Sequence, residues 1–454
     1  MSNEKRQLKI KGHPENLAQL NLHAAGLDIG AFEIYACVPA DRAEEPVRAF
    51  PTFTPDLYAL ADWLAVCEID TVAMESTGVY WIPIYEILEE RGFAVNLINA
   101  QQLKNVPGKK SDLLDAQWIQ QLHTYGLLQA SFRPVADICA LRALVRHRDN
   151  LLRYRTVHVQ HMDKALQQMN LKLTSVLTDI TGFTGLTIIR AILRGERDPH
   201  HLAQYRHGRC HHSQEEIAKA LTGNYRSEHL FALQQAVELY DIYNEKMAAC
   251  DQEIERLYAT FEPVVDIQEQ PLASGKPYRK QPGNSLTFDA RTYLYQIAGV
   301  DLTAIDGLHV GLVQKIISEI GVDMTPWPTV KHFASWLRLC PYRDISGGRV
   351  LRTKTKKTTN PATQAFRMAA QAVSRSDTAL GAHYRRMRAK LGPSQAIVAT
   401  AHKIARIVYH MLKEKTPYHA MEAAEYDAQM RIRAIKNLER KARRLGLQIV
   451  PTPT

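Results

Sequence analysis

The sequence predicts an α/β domain at the amino-terminal end, then a mainly α-helical remainder containing a long heptad helix and a second helical domain. Three observations carry this. Between Ala24 and about Leu128, apolar runs rich in β-branched residues and closed by Gly, Ser or Thr alternate with stretches of helical spacing. From about Asp137 to Leu171 apolar residues recur on one helical stripe. Farther on, Leu233, Tyr240, Met247, Ile254 and Phe261 repeat every seven residues.

A chain of 454 residues, 45% of them hydrophobic, has room for two or three domains with sizeable cores. Its formal net charge of +10 points to a polyanionic partner, nucleic acid being the commonest. The six cysteines (37, 67, 139, 210, 250 and 340) include no C-x-x-C pair, which favours a reducing cytoplasm over a disulfide framework or a thiolate zinc site. No apolar run reaches membrane-spanning length, and Met1 to Asn16 has no signal-peptide core. A soluble cytoplasmic protein is expected.

Residues 1–22 read as a flexible tail, and 23–130 as the α/β domain. Its first strand lies in Ala25-Gly26-Leu27-Asp28-Ile29-Gly30, continuing through Ile34 to Val38. Leu57 to Val66 and Val79 to Glu90 have helical spacing; Ile69 to Gly78 and Phe93 to Ile98 read as strands, the former ending on Glu75. Such runs suit the buried strands of a mixed sheet, where an acid is costly without a metal or a partner. In Lys109-Lys110-Ser111-Asp112-Leu113-Leu114-Asp115-Ala116 a helix begins, and its two acids share one face. Ser111 as N-cap and acids in a first turn suit plain helix initiation. With Asp28 and Glu75, however, the four carboxylates make an oxygen-rich set of the kind Mg²⁺ prefers, able to hold two ions for phosphodiester chemistry.

Residues 131–212 form a basic helical region. Arg142, Arg146, His147, Arg148, Arg153 and Arg155 crowd the polar side of its long helix, a nearly single-signed surface that suits phosphate contact as well as solvation. The histidine-rich patch from Asp198 to His212 fits no standard zinc spacing, and polar contact with RNA is its expected use. The heptad seam in 213–262, with Ala236, Tyr243, Cys250 and Leu257 at intermediate offsets, predicts a coiled coil and self-association; a long helix packed within its own chain is the alternative. Residues 263–287, rich in Pro, Gln, Gly and Lys, read as a linker. In the second domain, 288–417, Ile305 to Gly311 followed by Ile316 to Gly321 is loosely similar to a helix-hairpin-helix.

That domain holds a second chemical centre, Ile345-Ser346-Gly347-Gly348-Arg349, followed by Arg352, Lys354, Lys356 and Lys357. A Ser-Gly-Gly turn among cations is either a surface loop or a hydroxyl aimed at a phosphodiester with cations stabilising the developing charge. Residues 418–454 form a basic helix and tail that could add phosphate contacts.

The order of Asp in a first strand, Glu closing a later one and Asp-x-x-Asp opening a helix resembles the RuvC-like core of the RNase H fold. More specifically, Gly26-Leu27-Asp28-Ile29-Gly30, Met74-Glu75-Ser76-Thr77-Gly78 and Lys110-Ser111-Asp112-Leu113-Leu114-Asp115-Ala116 resemble the DEDD transposases of bacterial insertion sequences, the bridge-RNA-guided recombinases. Residues 291 to about 417 resemble the carboxy-terminal transposase domain of that family, through an Ile-x-Gly helix pair, Phe-x-x-Trp then Pro, and Ser-Gly with a basic run. The resemblance implies an RNase H-like catalytic domain and a transposase domain whose serine, by motif position Ser346, attacks DNA to give a phosphoserine intermediate. It implies Mg²⁺ on Asp28, Glu75, Asp112 and Asp115, donor and target DNA as substrates, a structured bridge RNA as guide, and a bacterial, nucleoid-associated location. Contacts to nucleic acid are expected from Arg142, Arg146, Arg148, Arg153, Arg349, Arg352, Lys354, Lys356 and Lys357, and a dimer or tetramer from the heptad seam. Sugar kinases and actin-like ATPases share the Gly-Leu-Asp-Ile-Gly strand, but their further glycine-rich nucleotide loops are missing from the sequence. Two other functions fit the residues: a RuvC-like junction nuclease that cuts with water, and a non-catalytic coiled-coil nucleic-acid-binding protein.

Overall fold

In a computed structural model of the chain the described residues are 18–76, 78–99, 112–274, 284–355 and 358–449, with the side chains of 112, 113, 343, 344 and 352–354 outside the description. The chain divides into two compact units, Met1–Arg133 and Pro134–Thr454. The first boundary falls three residues past the predicted one; the helical regions, linker and second domain expected as separate bodies form one unit.

The first unit runs β1 (Ala24–Ile29), β2 (Glu33–Cys37), β3 (Val47–Pro51), α1 (Thr54–Val66), β4 (Thr71–Glu75), α2 (Trp81–Glu90), β5 (Ala94–Ile98) and α3 (Asp112–Thr124). Its sheet has the order β3-β2-β1-β4-β5, antiparallel across the first three strands and parallel from β1 through β4 to β5. This mixed order is compatible with an RNase H-like core. Period-two alternation decides which side chain meets which helix. Ala25, Leu27, Ile29, Val72 and Met74 pack with Leu57, Leu60 and Leu64 of α1 and Ile84 and Leu88 of α2. On the opposite face Ala73 and Ile98 pack with Ile119 of α3. Residues 18–22 are tied down rather than loose: the Leu20 and Asn21 amides both donate to the Thr124 carbonyl, at 2.8 and 3.0 Å. Residues 1–17 of the expected tail lie outside the described residues.

The second unit begins with α4 (Ala136–Gln168), α5 (Leu173–Val176), α6 (Phe183–Leu193), α7 (Pro199–Gln204), α8 (Gln214–Ala220) and α9 (Ser227–Tyr258). It continues with α10 (Ala290–Ala298), α11 (Val310–Ile320), α12 (Val330–Trp336), β6 (Tyr342–Ser346), β7 (Arg349–Lys354), α13 (Pro361–Ala372), α14 (Ala379–Leu391), α15 (Pro393–Glu414) and α16 (Ala423–Arg444).

Of the two readings of the heptad, the long helix packed within its own chain describes α9. The seam residues Leu233, Tyr240, Met247 and Ile254 are buried on α9, and α9 packs along α4 of the same chain. The two helices run antiparallel: Cys250 lies at the Leu144 carbonyl, and Tyr243 stacks with His158 at 5.4 Å between ring centroids. A heptad seam specifies only that an apolar stripe be covered, and a second long helix of the same chain with a matching stripe covers it without a partner molecule.

The described ends of the expected linker are anchored as well. Val264 donates to the Gln296 carbonyl at 2.8 Å, and the Thr287 amide donates to Asp251 Oδ2 at 3.2 Å. In the helix-hairpin-helix-like segment, Gly307 has φ +87°, and a Cβ there would stand 2.5 Å from the Ala369 carbonyl oxygen of α13. This glycine therefore serves a close packing inside the unit. Among the described residues, no helix is long and apolar enough to cross a membrane.

Candidate functional site

Asp28 and Glu75 are brought to one place by strand register. β1 and β4 are parallel neighbours with Gly26 opposite Ala73 and Leu27 opposite Met74, so Asp28 and Glu75 each follow the last of these pairs at the carboxy-terminal end of its strand. Both share the parity of the α3-facing residues: Asp28 with Gly26, and Glu75 with Ala73. Both are half-buried.

Helix α3 brings the other two acids toward that end because it runs opposite to β1. Thr124 lies by Leu20 and Asn21, the Gln120 Nε2 donates to the Ala24 carbonyl at 3.4 Å, and Ala116 lies against Gly26. One turn back from Ala116 is Asp112, an advance of about 6 Å. Two residues on from Gly26 is Asp28, a rise of about 6.6 Å. The first turn of α3, with Asp112 and Asp115, therefore stands over the end of β1 that carries Asp28. The approach depends on Gly26, where a Cβ would lie 2.3 Å from the Gln120 nitrogen and 2.5 Å from the Ala116 oxygen. Asp115 is half-buried; the Asp112 side chain, and Lys109, Lys110 and Ser111, lie outside the description. Among the described residues, no group of three or more acidic, His or Cys side chains is assembled as a metal site. The described donors are nonetheless all oxygen, with Asp28 and Glu75 on the α3-facing side of the sheet, and their chemistry suits a hard divalent cation.

Below this end the same face is closed by neutral contacts. Thr71 Oγ1 lies 2.9 Å from His123 Nε2, which is also 3.4 Å from Asn96 Nδ2. Burial pushes the His123 pKa down. A neutral imidazole here serves as core packing.

The serine centre forms a tight hairpin in the second unit. Ser346 pairs with Arg349 across a two-residue loop, and Gly347 and Gly348 have φ of +55° and +76°. Positive φ at both loop positions is the primed turn that fits strand twist, and glycine adopts it without strain. Ser346 and Arg349 are exposed, and Ile345, Val350 and Leu351 are also more than half exposed. The segment that leads into the hairpin is anchored in the helical core. Leu337 and Leu339 are buried, Thr363 Oγ1 donates to the Leu337 carbonyl at 2.8 Å, and Tyr409 donates to the Trp327 carbonyl at 2.8 Å. Arg352 and Lys354 stand on β7, while Lys356 and Lys357 lie outside the described residues.

Three of the α4 arginines expected at phosphates have partners within the chain. Arg148 is buried and paired at two points with Asp251, which is 1% exposed. Arg142 donates to the Glu319 carbonyl at 2.7 Å, and Arg146 to both Glu319 carboxylate oxygens. Charge on a helix is blind to which partner the fold supplies; here three of the arginines meet buried acids or carbonyls. Arg153 is exposed, beside Asn150. The histidine patch is likewise local: His201 pairs with Glu196 at 2.7 Å, His212 with Glu216 at 3.4 Å, and Asp198 caps α7. Missed in the sequence was a cationic group on α14, α15 and α16, comprising Arg386, Lys403, Arg406 and Arg433, which lines a cavity. Lys403 and Arg406, three apart on one helix, were its visible signal.

A mixed sheet with acids at its strand ends and an acid-bearing helix across one face is compatible with an RNase H-like domain. The family comparisons give the class: residues 25–171 match the DEDD-type IS110 transposase model, described as Transposase, and residues 290–385 match the model described as Transposase IS116/IS110/IS902 family. The chain belongs to the IS116/IS110/IS902 family of insertion-sequence transposases. The first match spans Asp28, Glu75, Asp112 and Asp115, and the second spans Ser346. Among curated proteins none matches the chain.

Proposed function

We propose that the chain is an RNA-guided DNA recombinase that excises and inserts an insertion sequence by serine-mediated strand exchange. The observation that carries this reading is the opposed run of α3 and β1, which directs Asp112 and Asp115 toward the strand ends bearing Asp28 and Glu75. Mg²⁺ held by these four acids would supply electrophilic stabilisation of a phosphodiester and help to deprotonate a nucleophile. Ser346, exposed beside a two-glycine turn, attacks phosphorus through Oγ. A serine–phosphate ester forms as the bond to one deoxyribose oxygen breaks, and that oxygen takes a proton. Reversal by a deoxyribose hydroxyl of another strand completes exchange and restores the serine. Arg349, directly across from Ser346, can bear on the developing negative charge. The guide RNA rests on the family resemblance, with a net charge of +10 as general support.

The test is a cleavage reaction with labelled DNA stopped under denaturing conditions. Wild type should yield a protein–DNA adduct with Mg²⁺, and Ser346→Ala should yield neither adduct nor cleavage. Asp28→Asn should remain folded and inactive. Cleavage by Ser346→Ala at the wild-type rate would replace this reading with a water-using nuclease. Sequencing RNA that co-purifies with the chain tests the guide.

A further inference from the structure

In the second unit a cavity of about 840 Å³ opens between α14, α15, α16 and the base of the β6–β7 hairpin. Its size lies within the range of roughly 300–1,000 Å³ common to ligand sites. Its wall has two kinds of surface. Leu339, Met387, Val398 and Met430 are apolar, whereas Arg386, Lys403, Arg406 and Arg433 bring four cations from three different helices. No lining residue among those described is an acid.

Among the described residues, the lining offers these cations no carboxylate partner. Lys403 lies over the Tyr426 ring at 4.4 Å from its centroid, and the Tyr426 hydroxyl is 3.0 Å from His383 Nδ1. Burial first, then Arg433 and Arg406, pushes the Lys403 pKa down, and burial with Lys403 nearby pushes His383 down to about 4. Elsewhere in this unit, buried or half-buried arginines are answered by Asp251, Glu319 and Asp301. Crowded cations on an apolar floor favour a ligand that joins a flat apolar body to several negative charges.

We propose that this cavity takes one unpaired nucleotide of a nucleic-acid strand, its base against Met387, Val398 and Met430 and its flanking phosphates on the arginines. Consecutive phosphates answer cations spread over three helices, as a single carboxylate head of a fatty acid does not. Pro341 and Thr355, which frame the hairpin, also line the cavity, so the strand held there lies roughly 17 Å of β-strand from the turn. An extruded base near a cut site would fix the register of the strand. The proposal rests on the transposase assignment and not on the serine or metal reading.

The test uses the full chain in EDTA, so that binding is measured without reaction. Fluorescence anisotropy compares a DNA duplex with one unpaired thymidine, the same duplex with an abasic unit there, and a fully paired duplex. Wild type should prefer the base over the abasic unit by roughly tenfold, the low end of what base contacts supply. Val398→Trp, which fills the cavity, should bring that ratio near one while leaving affinity for the paired duplex. Gln395→Trp does the same from the exposed mouth if the half-buried Val398 variant fails to fold. A larger ratio with a bulged RNA duplex would assign the pocket to RNA rather than DNA. A wild-type ratio near one, preference surviving both tryptophan variants, or oleate binding without base preference would overturn the proposal.

Discussion

Arg146 and Glu319 meet in a two-point pair, Nε to Oε1 at 2.7 Å and Nη2 to Oε2 at 2.8 Å, on a carboxylate 5% exposed. The pair ties α4 to α11 across a long stretch of sequence. Together with Arg148–Asp251 it makes the basic helix a structural member of its unit rather than a bare cationic surface.

Arg148→Ala should therefore destabilise the protein by about 3–5 kcal/mol, because Asp251 would be left charged and buried. Arg153→Ala should change stability by no more than about 0.5 kcal/mol, since that side chain is exposed. Denaturant midpoints check both. Equal effects of the two would contradict the burial of the pair.

Met247→Glu with Ile254→Glu should unfold the α4–α9 pair, because both residues are buried against their own chain. Loss of helical circular dichroism and of the thermal transition is expected. Dissociation into folded smaller particles, seen by light scattering, would instead restore the seam to an interface between molecules.

The heptad was legible in the sequence; its partner was not. Periodicity reports that a stripe will be buried, while the covering surface is decided by chain geometry. The first unit was more readable in β4, β5, α1 and α2, whose apolar runs carry their own period, whereas the run read as one strand from Ala25 to Val38 is the β1–β2 hairpin and β3 was not anticipated. Where the element ends bearing Asp28, Glu75 and Asp112 lie relative to one another depends on the register of β1 on β4 and the direction of α3, which no single segment encodes. The grouping of the cavity cations escaped notice for the same reason: Arg433 belongs to the expected basic helix, but Arg386, Lys403 and Arg433 come from three helices and meet only in the fold.

Gly348→Ala and Gly347→Val should weaken the hairpin by backbone strain alone, since open space surrounds both positions. Costs of about 1 kcal/mol for alanine and more for the β-branched residue are expected, with Gly347→Asn milder. If Ser346 is the nucleophile, adduct formation should fall in that same order, valine lowest. Full activity in Gly347→Val would show that the turn geometry does not matter to the reaction.

Acid should destabilise the second unit through His383. Its folded pKa of about 4 lies below the ordinary 6.5, so the unfolded chain binds the extra proton between those values. Its contribution is fully present above about pH 6.5 and is lost as the pH falls to about 4. The thermal midpoint should drop through that window, and less steeply in His383→Gln. An unchanged slope in the variant would remove His383 from the account.

Gly26→Ala should shift the thermal midpoint of the first unit down, with a cost of about 1–3 kcal/mol or more, because both near neighbours are backbone atoms. Cleavage should be lost as well, while the second unit remains folded by circular dichroism. A folded, fully active Gly26→Ala would break the link between this contact and the acids.

That contact acts as a shim of zero thickness. Where strand and helix touch without an intervening side chain, the gape between the sheet's carboxylates and the helix's is set by two backbones about 6 Å back from the acids. A single added carbon would not touch any acid, yet it would prise the jaws apart from the hinge side. Tolerance in such a clamp is narrowest where nothing chemical happens.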